Sequence, residues 1–278
     1  MQRRTFVRTS VASLGLAATA IVPTRAAEPN PAARELFELR TYTLKADKLP
    51  LLDAYLSKAF LPALERLGIG PVGVFTETES TERNVVAEKK SASTPAKDLA
   101  KVTVLIVHKT ADSVATLAAK LAADEVYGKA ATEYLAAKAD DPVYLRIAVS
   151  LLGAFAGMPK LEKPDPSKPR LFNLRVYESH NERAAAKKVE MFEKGEIAIF
   201  RKVGLTPVFF ASAITGPALP NLTYLLVFPD DAARGAAWGT FVKDPAWLEL
   251  RALPGYADKE IVSRITNRIL VPRPYSGI

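Results

Sequence analysis

The sequence predicts an α+β fold of two similar halves, each running strand, helix, strand, strand, helix, strand. Three observations predict it. The segment Leu36 to Tyr42, LFELRTY, returns 135 residues later as Leu171 to Tyr177, LFNLRVY. A second pair, Gly68 to Phe75 and Gly204 to Ala211, keeps step at an offset of 136 residues through the intervening strand and helix. Val102 to Val107 then finds its counterpart in Leu222 to Val227 at an offset of 120, so the first half carries the longer loop. Offsets of this length belong to a duplicated domain, not to a solenoid or propeller. With 278 residues, 49% of them hydrophobic, the chain has the length and the apolar content for two domains with real cores.

Residues 1–26 read as an export leader. Gln2-Arg3-Arg4-Thr5-Phe6-Val7-Arg8 resembles the twin-arginine signal. The apolar run Val11 to Val22 is too short and too rich in small residues for a stable membrane span. Thr24-Arg25-Ala26 presents small residues where a signal peptidase reads, so cleavage is expected after Ala26; an uncleaved anchor is the alternative. The leader implies a bacterial periplasmic or otherwise extracytoplasmic protein, exported folded and without stable membrane insertion after cleavage.

Residues 27–34, with two prolines, form a linker, and the first domain occupies 35–156. Its opening strand spans Glu35 to Thr43. Asp47 is expected to cap a helix with Pro50 in its first turn and apolar residues at helical spacing from Leu49 to Leu67. Pro62 predicts a kink near Lys58. The polar stretch Thr78 to Leu99 is expected to be a flexible connection, followed by a buried strand at Val102 to Val107. Helical sequence from Asp112 to Ala139 should break near Asp124, and a last strand runs from Val143 to Leu152.

Residues 157–169, with four prolines, read as the linker between domains, and the second domain occupies 170–278. Asn181 caps a helix that reaches Val203 and is interrupted by Gly195. Strands at Val208 to Thr215 and Leu222 to Phe228 flank a turn-rich segment. Asp231 opens a further helix, and Asp244-Pro245 starts another with proline at its first position. Ile261 to Leu270 is the last strand, and prolines follow it.

Composition narrows the chemistry. There is no cysteine, hence no disulfide and no thiolate ligand or nucleophile. Two histidines make a histidine-rich metal site improbable, and no metal site is predicted. The formal charge of +8 includes four leader arginines and no leader acid; the remainder holds 34 basic and 30 acidic residues, interspersed. That is a solvated surface, not a nucleic-acid stripe. No glycine-rich phosphate loop or nucleophile elbow occurs, which argues against NTPases, nicotinamide dehydrogenases and serine hydrolases.

The openings Phe37-Glu38-Leu39-Arg40-Thr41-Tyr42 and Phe172-Asn173-Leu174-Arg175-Val176-Tyr177, with Asp244-Pro245-Ala246-Trp247 after an alanine-rich helix, resemble the NIPSNAP family. The resemblance implies two ferredoxin-like βαββαβ repeats forming an intramolecular dimeric α/β barrel. Related barrels include cofactor-free monooxygenases, isomerases and haem-binding proteins, and fold analogy does not choose among them. No cofactor is expected; haem ranks behind, since neither histidine falls on a predicted helix as a proximal ligand would.

At the strand period of two, Phe37 and Leu39, like Phe172 and Leu174, oppose an Arg/Tyr face. The apolar face is expected under the helices. Arg40, Tyr42, Arg175 and Tyr177, with Asn173, then point to a shared interior between the sheets, suited to a small anionic or carbonyl-bearing ligand. His180, just before the Asn181 cap, is the candidate general base. Against this stands a reading in which Arg40 pairs with Glu38 and the barrel is a non-catalytic interaction module, filled by its own side chains; Trp238, Trp247, Phe209 and Phe210 are expected in the core. Self-association into a homo-oligomer is compatible with either reading.

Overall fold

The computed structural model describes residues 34–93 and 98–278. The expected signal peptide, the linker up to residue 33 and residues 94–97 lie outside the described residues. Among the described residues, the strands are β1 (Leu36–Lys45), β2 (Val72–Asn84), β3 (Lys89–Ser93), β4 (Leu99–His108), β5 (Arg146–Ala154), β6 (Leu171–Glu178), β7 (Thr206–Thr215), β8 (Asn221–Phe228) and β9 (Arg264–Pro272). They run in the order β3-β2-β4-β1-β5-β7-β8-β6-β9, and β9 returns to pair with β2. Eight antiparallel strands thus close a barrel in a mixed α/β fold, with β3 attached outside the ring to the far end of β2.

The two halves use the same pairing scheme. β1 lies between β4 and β5, with Leu39 opposite Leu105 and Ser150; β6 lies between β8 and β9, with Leu174 opposite Leu225 and Arg268. Two seams join the halves. The β2–β9 seam is long, from Phe75 opposite Pro272 to Asn84 opposite Arg264, with a register shift between Glu77 and Glu79. The β5–β7 seam is short, from Leu151 opposite Thr215 to Ala154 opposite Ala211. Beyond β9 the chain crosses the first half: Arg273 and Tyr275 both bond Asp53, and the Val74 N–H donates to Ser276 Oγ at 2.9 Å.

Local sequence accounts for the helices. Asn181 Oδ1 accepts from the Ala184 N–H at 2.9 Å, and Asp244 Oδ1 accepts from the Ala246 N–H at 2.9 Å ahead of Pro245, as expected. Asp47 is no cap; it lies inside a short 3₁₀ turn, Ala46–Lys48, that leads into the helix beginning at Leu49. The helix Asp231–Phe241 opens at Asp231 as expected, and the preceding Asp230 caps it by accepting from the Ala233 N–H at 2.8 Å. At Pro62 the helix does not end. A wide π-helical turn, Leu56–Phe60, stands where the missing Pro62 N–H leaves the Lys58 carbonyl without its usual donor. The second half has a π-helical turn at the matching place, Phe192–Glu196. Its Gly195 gives room to Leu250, whose Cδ2 would stand 3.1 Å from an added Cβ. Much of the segment expected to be a flexible connection is instead sheet: β2 continues to Asn84 and turns back as β3 to Ser93, because the outer end of β2 pairs with β9, while residues 94–97 of that segment lie outside the described residues.

The face assignment is the main correction. Phe37, Leu39, Phe172 and Leu174 do not pack under helices. They meet inside the barrel with Phe75, Leu105, Phe209, Leu225 and Leu270 from both halves. Tyr42 and Tyr177 lie on the outer side, each in the cluster built with its own half's helices. The reason is closure. Both faces are covered, the inner by the opposite half and the outer by the helices, and on the helix side the polar tips find partners, Arg40 with Glu38 and Tyr177 with Tyr224. Arg40 and Arg175 therefore do not share one interior; each faces the helices of its own half.

Candidate functional site

In the first half the arginine is neutralised. Arg40 Nε donates to Glu38 Oε1 at 2.6 Å, and Glu38 Oε2 lies 3.1 Å from His108 Nε2. His108 is fully buried, and its Nδ1 lies 3.0 Å from Ser113 Oγ. Burial works against the Glu38 charge, but His108 and Arg40 hold its carboxyl below the usual range. Arg40 also stacks over Phe60, 5.2 Å from the ring centre. Tyr42 lies nearby among Tyr55, Tyr127, Tyr134 and Tyr144, and Tyr55 stacks on Tyr134 with ring centres 3.6 Å apart. This is a closed, internally satisfied cluster.

In the second half the same strand positions give a different result. Asn173 replaces Glu38, so Arg175 has no acid two residues away on its own face. Its guanidinium lies 4.3 Å from the Trp238 ring centre and 5.5 Å from that of Tyr177. Among the described residues Arg175 takes part in no ion pair, and its Nε is buried without a hydrogen-bond partner. Burial opposes its charge, yet Tyr177, Tyr224 and Glu196 hold its pKa above the ordinary value. Asn173 is buried and fixes the wall: its Oδ1 accepts from Trp238 Nε1 at 3.2 Å, and its Nδ2 donates to Asn267 Oδ1 at 2.6 Å. Tyr224, pushed well above its usual pKa by burial, donates to the Tyr177 hydroxyl at 2.9 Å. The Tyr177 proton is thereby left for an acceptor other than Tyr224.

A buried ion pair supports this cluster from the helix. Lys188 is 1% exposed, and its Nζ lies 3.0 Å from Glu196 Oε2 and 3.9 Å from Asp258 Oδ1. It also lies 5.6 Å from the Tyr177 ring centre and 5.5 Å from that of Trp247. Burial alone would drain the Lys188 charge; Glu196 and Asp258 hold it above its ordinary value. The positions matching Lys188 and Glu196 in the first half, at the helix offset of 136, are Leu52 and Phe60. The second half alone has converted its helix face to charge.

Of the residues singled out in the sequence, the structure brings Asn173, Arg175 and Tyr177 together and places Arg40 and Tyr42 in the other half. His180 is exposed and lines a surface cleft of about 510 Å³ with Arg183, Lys187 and Glu260. No hydrogen bond or ion pair joins it to Arg175 among the described residues. Phe209 and Phe210 are fully buried and Trp247 nearly so, whereas Trp238 is only partly buried and serves the cluster. Lys188, Glu196 and Tyr224 were missed, though one signal existed. Ala184, Lys188 and Met191 keep helical spacing, which puts a lysine on an apolar stripe; Glu196 joins that stripe only through the extra residue of the π-helical turn, which the sequence period does not show. Charges there are retained only as a pair.

Residues 172–277, the stretch that carries this cluster, match the model of the NIPSNAP family. That stretch, less than half of the chain, is similar to a NIPSNAP domain. Among solved structures the chain is similar to an uncharacterised NIPSNAP-like domain protein from Burkholderia xenovorans, 22% identical, with 38% of this chain and 88% of that chain covered at a TM-score of 0.35. Over nearly the whole described chain the likeness is to two proteins provisionally named monooxygenases. The one from Lactobacillus acidophilus is 12% identical over 86% of this chain and 94% of that one, with a TM-score of 0.48. The one from Fusobacterium nucleatum is 9% identical over 89% of this chain and 97% of that one, with a TM-score of 0.50. At these identities the likeness is one of fold. No curated protein matches the chain significantly.

Proposed function

We propose that the NIPSNAP domain binds a small organic molecule with an anionic or carbonyl oxygen, held between sheet and helices at Arg175. One observation carries this reading: the partly buried Arg175 guanidinium stacks on Trp238 with its Nε enclosed and unpartnered, while the matching Arg40 is neutralised by Glu38. A partly buried cation with an unpartnered donor and no acid beside it is disfavoured, and an anionic or strongly polarised oxygen relieves that cost. The Trp238 ring favours a flat ligand, and the Tyr177 hydroxyl supplies a second donor to the same oxygen.

Such a pair of donors, aimed at one oxygen in a site poor in water, stabilises an enolate or other oxyanion. It suits cofactor-independent oxidation or isomerisation of an enolisable carbonyl compound, with no cofactor called for by the residues present. Neither histidine fits a haem ligand: His108 is engaged at both nitrogens, and His180 lies on an exposed turn. The position of His180 makes it a residue of the surface cleft, and a base role there would need a ligand that reaches the cleft. The alternative is a non-catalytic interaction module, favoured by the apolar, side-chain-filled lumen.

The wider reading is of two ferredoxin-like repeats arising from duplication, a tandem NIPSNAP protein exported to the periplasm by the twin-arginine route. The common pairing scheme of β2-β4-β1-β5 and β7-β8-β6-β9 supports the duplication. The test of ligand binding is quenching of tryptophan fluorescence by benzoate, with native mass spectrometry of the purified protein for a retained ligand. Benzoate should quench saturably, and Arg175→Gln should weaken it about ten-fold or more. Equal quenching in wild type and variant would remove the reading.

A further inference from the structure

The barrel closes unevenly at its two seams. β2 pairs with β9 along residues 75–84, whereas β7 meets β5 only at residues 151–154. The first part of β5 is therefore bonded on one side alone, by β1. The Ala154 N–H donates to the Glu35 carbonyl at 3.0 Å, so by antiparallel alternation the even-numbered residues of β5 bond β1. Ile147 and Val149 turn their N–H and C=O groups the other way, where no backbone partner meets them among the described residues. Gly216, just past β7, lies against Ser150 and marks the end of the seam, which leaves residues 145–149 open.

The internal repeat shows what such an edge takes. Leu152 faces Phe37 as Leu270 faces Phe172, so β5 and β9 correspond at an offset of 118 (270 − 152). Ile147 and Val149 thus match Ile265 and Asn267, whose outer edge carries a strand, with Arg83 and Thr81 of β2 opposite them. β5 lacks the equivalent strand. The side chains on its outer face are apolar and left in water: Leu145 is 51% exposed, Val149 43%, and Ile214, which stands over Gly153, 57%. The free edge of β3 is guarded differently. It presents Lys89 and Lys90, charges that discourage strand pairing. On the β5 edge the one charge is Arg146, and it lies on the other face from Leu145, Ile147 and Val149.

We infer that this edge is the interface of a homodimer, in which β5 of a second copy of this chain pairs antiparallel with it. The strand is self-complementary about Ile147. That two-fold register sets Ile147 opposite its own copy and Leu145 opposite Val149, all on the outer face. Arg146 then stands opposite Ala148, so no like charges meet. Ile147 and Val149, whose backbone groups are unpaired, are the residues that this register bonds across the interface. A strand from another protein would satisfy the backbone equally, but the apolar cross-strand pairs and the unopposed arginine are properties of this sequence set against itself. An edge this short lies at the small end of specific interfaces, so the dimer exchanges with monomer as concentration changes. The interface involves neither Arg175 nor its ligand.

The test is sedimentation velocity of the full chain from nanomolar to high micromolar concentration, where a reversible monomer–dimer equilibrium is expected. Val149→Lys should weaken the dimer about ten-fold or more through the apolar face. Val149→Pro should do so through the backbone, and circular dichroism should not change, because the N–H it removes is not bonded within the chain. Val242→Lys, at a residue 50% exposed in the second half, should leave the equilibrium as it is. The chain has no cysteine, so single cysteines report the register. Ile147→Cys should crosslink to a dimer on mild oxidation, its Cα being about 5.5 Å from that of its copy, and Leu145→Cys should not. A chain that stays monomeric throughout the series overturns the proposal, as does a dimer that either folded Val149 variant leaves intact. Equal weakening by Val242→Lys overturns it too, and so does a Leu145→Cys crosslink that forms as readily as that of Ile147→Cys.

Discussion

Glu38 stands 2.6 Å from Arg40, and the residue at its place in the second half is Asn173, which binds Trp238 instead of the neighbouring arginine. One exchange of carboxylate for carboxamide separates a neutralised guanidinium from one with no acid partner among the described residues. Asn173→Glu should therefore recreate the first half's ion pair at Arg175. The expected outcome is loss of benzoate quenching by about ten-fold or more, measured on protein whose far-ultraviolet circular dichroism is unchanged.

The Glu38 cluster carries a pH dependence whose sign follows from its environment. Its carboxyl is held below the usual range in the folded state, burial notwithstanding, by His108 and Arg40. The unfolded chain therefore binds the proton more readily. The resulting stability is fully present above the unfolded carboxylate pKa and is lost as pH falls through the lower folded value. Melting temperature followed from pH 7 down to acid should fall less steeply in Glu38→Gln than in wild type. The variant should also start lower at pH 7, by about 3 kcal/mol, since it leaves Arg40 without its acid.

Lys188 and Glu196 should behave as a unit. Lys188→Met leaves a buried carboxylate beside Phe192 and Tyr177 and should destabilise by about 3–5 kcal/mol. The double variant Lys188→Met with Glu196→Leu should recover most of that loss, since two apolar side chains fit a site already lined by Phe192 and Trp247. Urea melts of the two variants check this, and additive losses would show that the pair is not coupled.

The lumen offers a cross-half test. Phe172 of the second half packs edge-on against Phe75 of the first, with ring centres 4.8 Å apart. Phe172→Ala should cost about 3–5 kcal/mol and should do so in a single cooperative transition, because the lumen belongs to both halves. Two separated calorimetric transitions would contradict a shared core.

Much of the fold was legible in the sequence. Strand one of each half, the caps at Asn181 and Asp244, and the break at Asp124 all rest on local chemistry, and local chemistry was enough. The side of the sheet was not legible. In LFELRTY both alternating faces end up covered, one by the lumen and one by helices, and period two marks alternation without saying which face meets which neighbour. The β2 extension was missed because Thr78 to Asn84 is polar; it is strand only because β9 supplies its hydrogen bonds. In the candidate site, Arg175 and Tyr177 were visible as a repeated motif. Tyr224 reaches Tyr177 across 47 residues and Trp238 reaches Asn173 across 65, which no local pattern encodes.

The β2–β9 seam bears on how the chain reaches this state during synthesis. Thr78 bonds to a carbonyl 191 residues away, at Ile269, so the ring cannot shut until almost the whole chain has left the ribosome. Until then β2 presents a long edge of unpaired amides and carbonyls, and the lumen phenylalanines of the first half face water. Contacts of such sequence separation form slowly. The nascent first half is thus the species on which aggregation and chaperone binding should fall, and slowing translation ahead of β9 should lengthen its exposure.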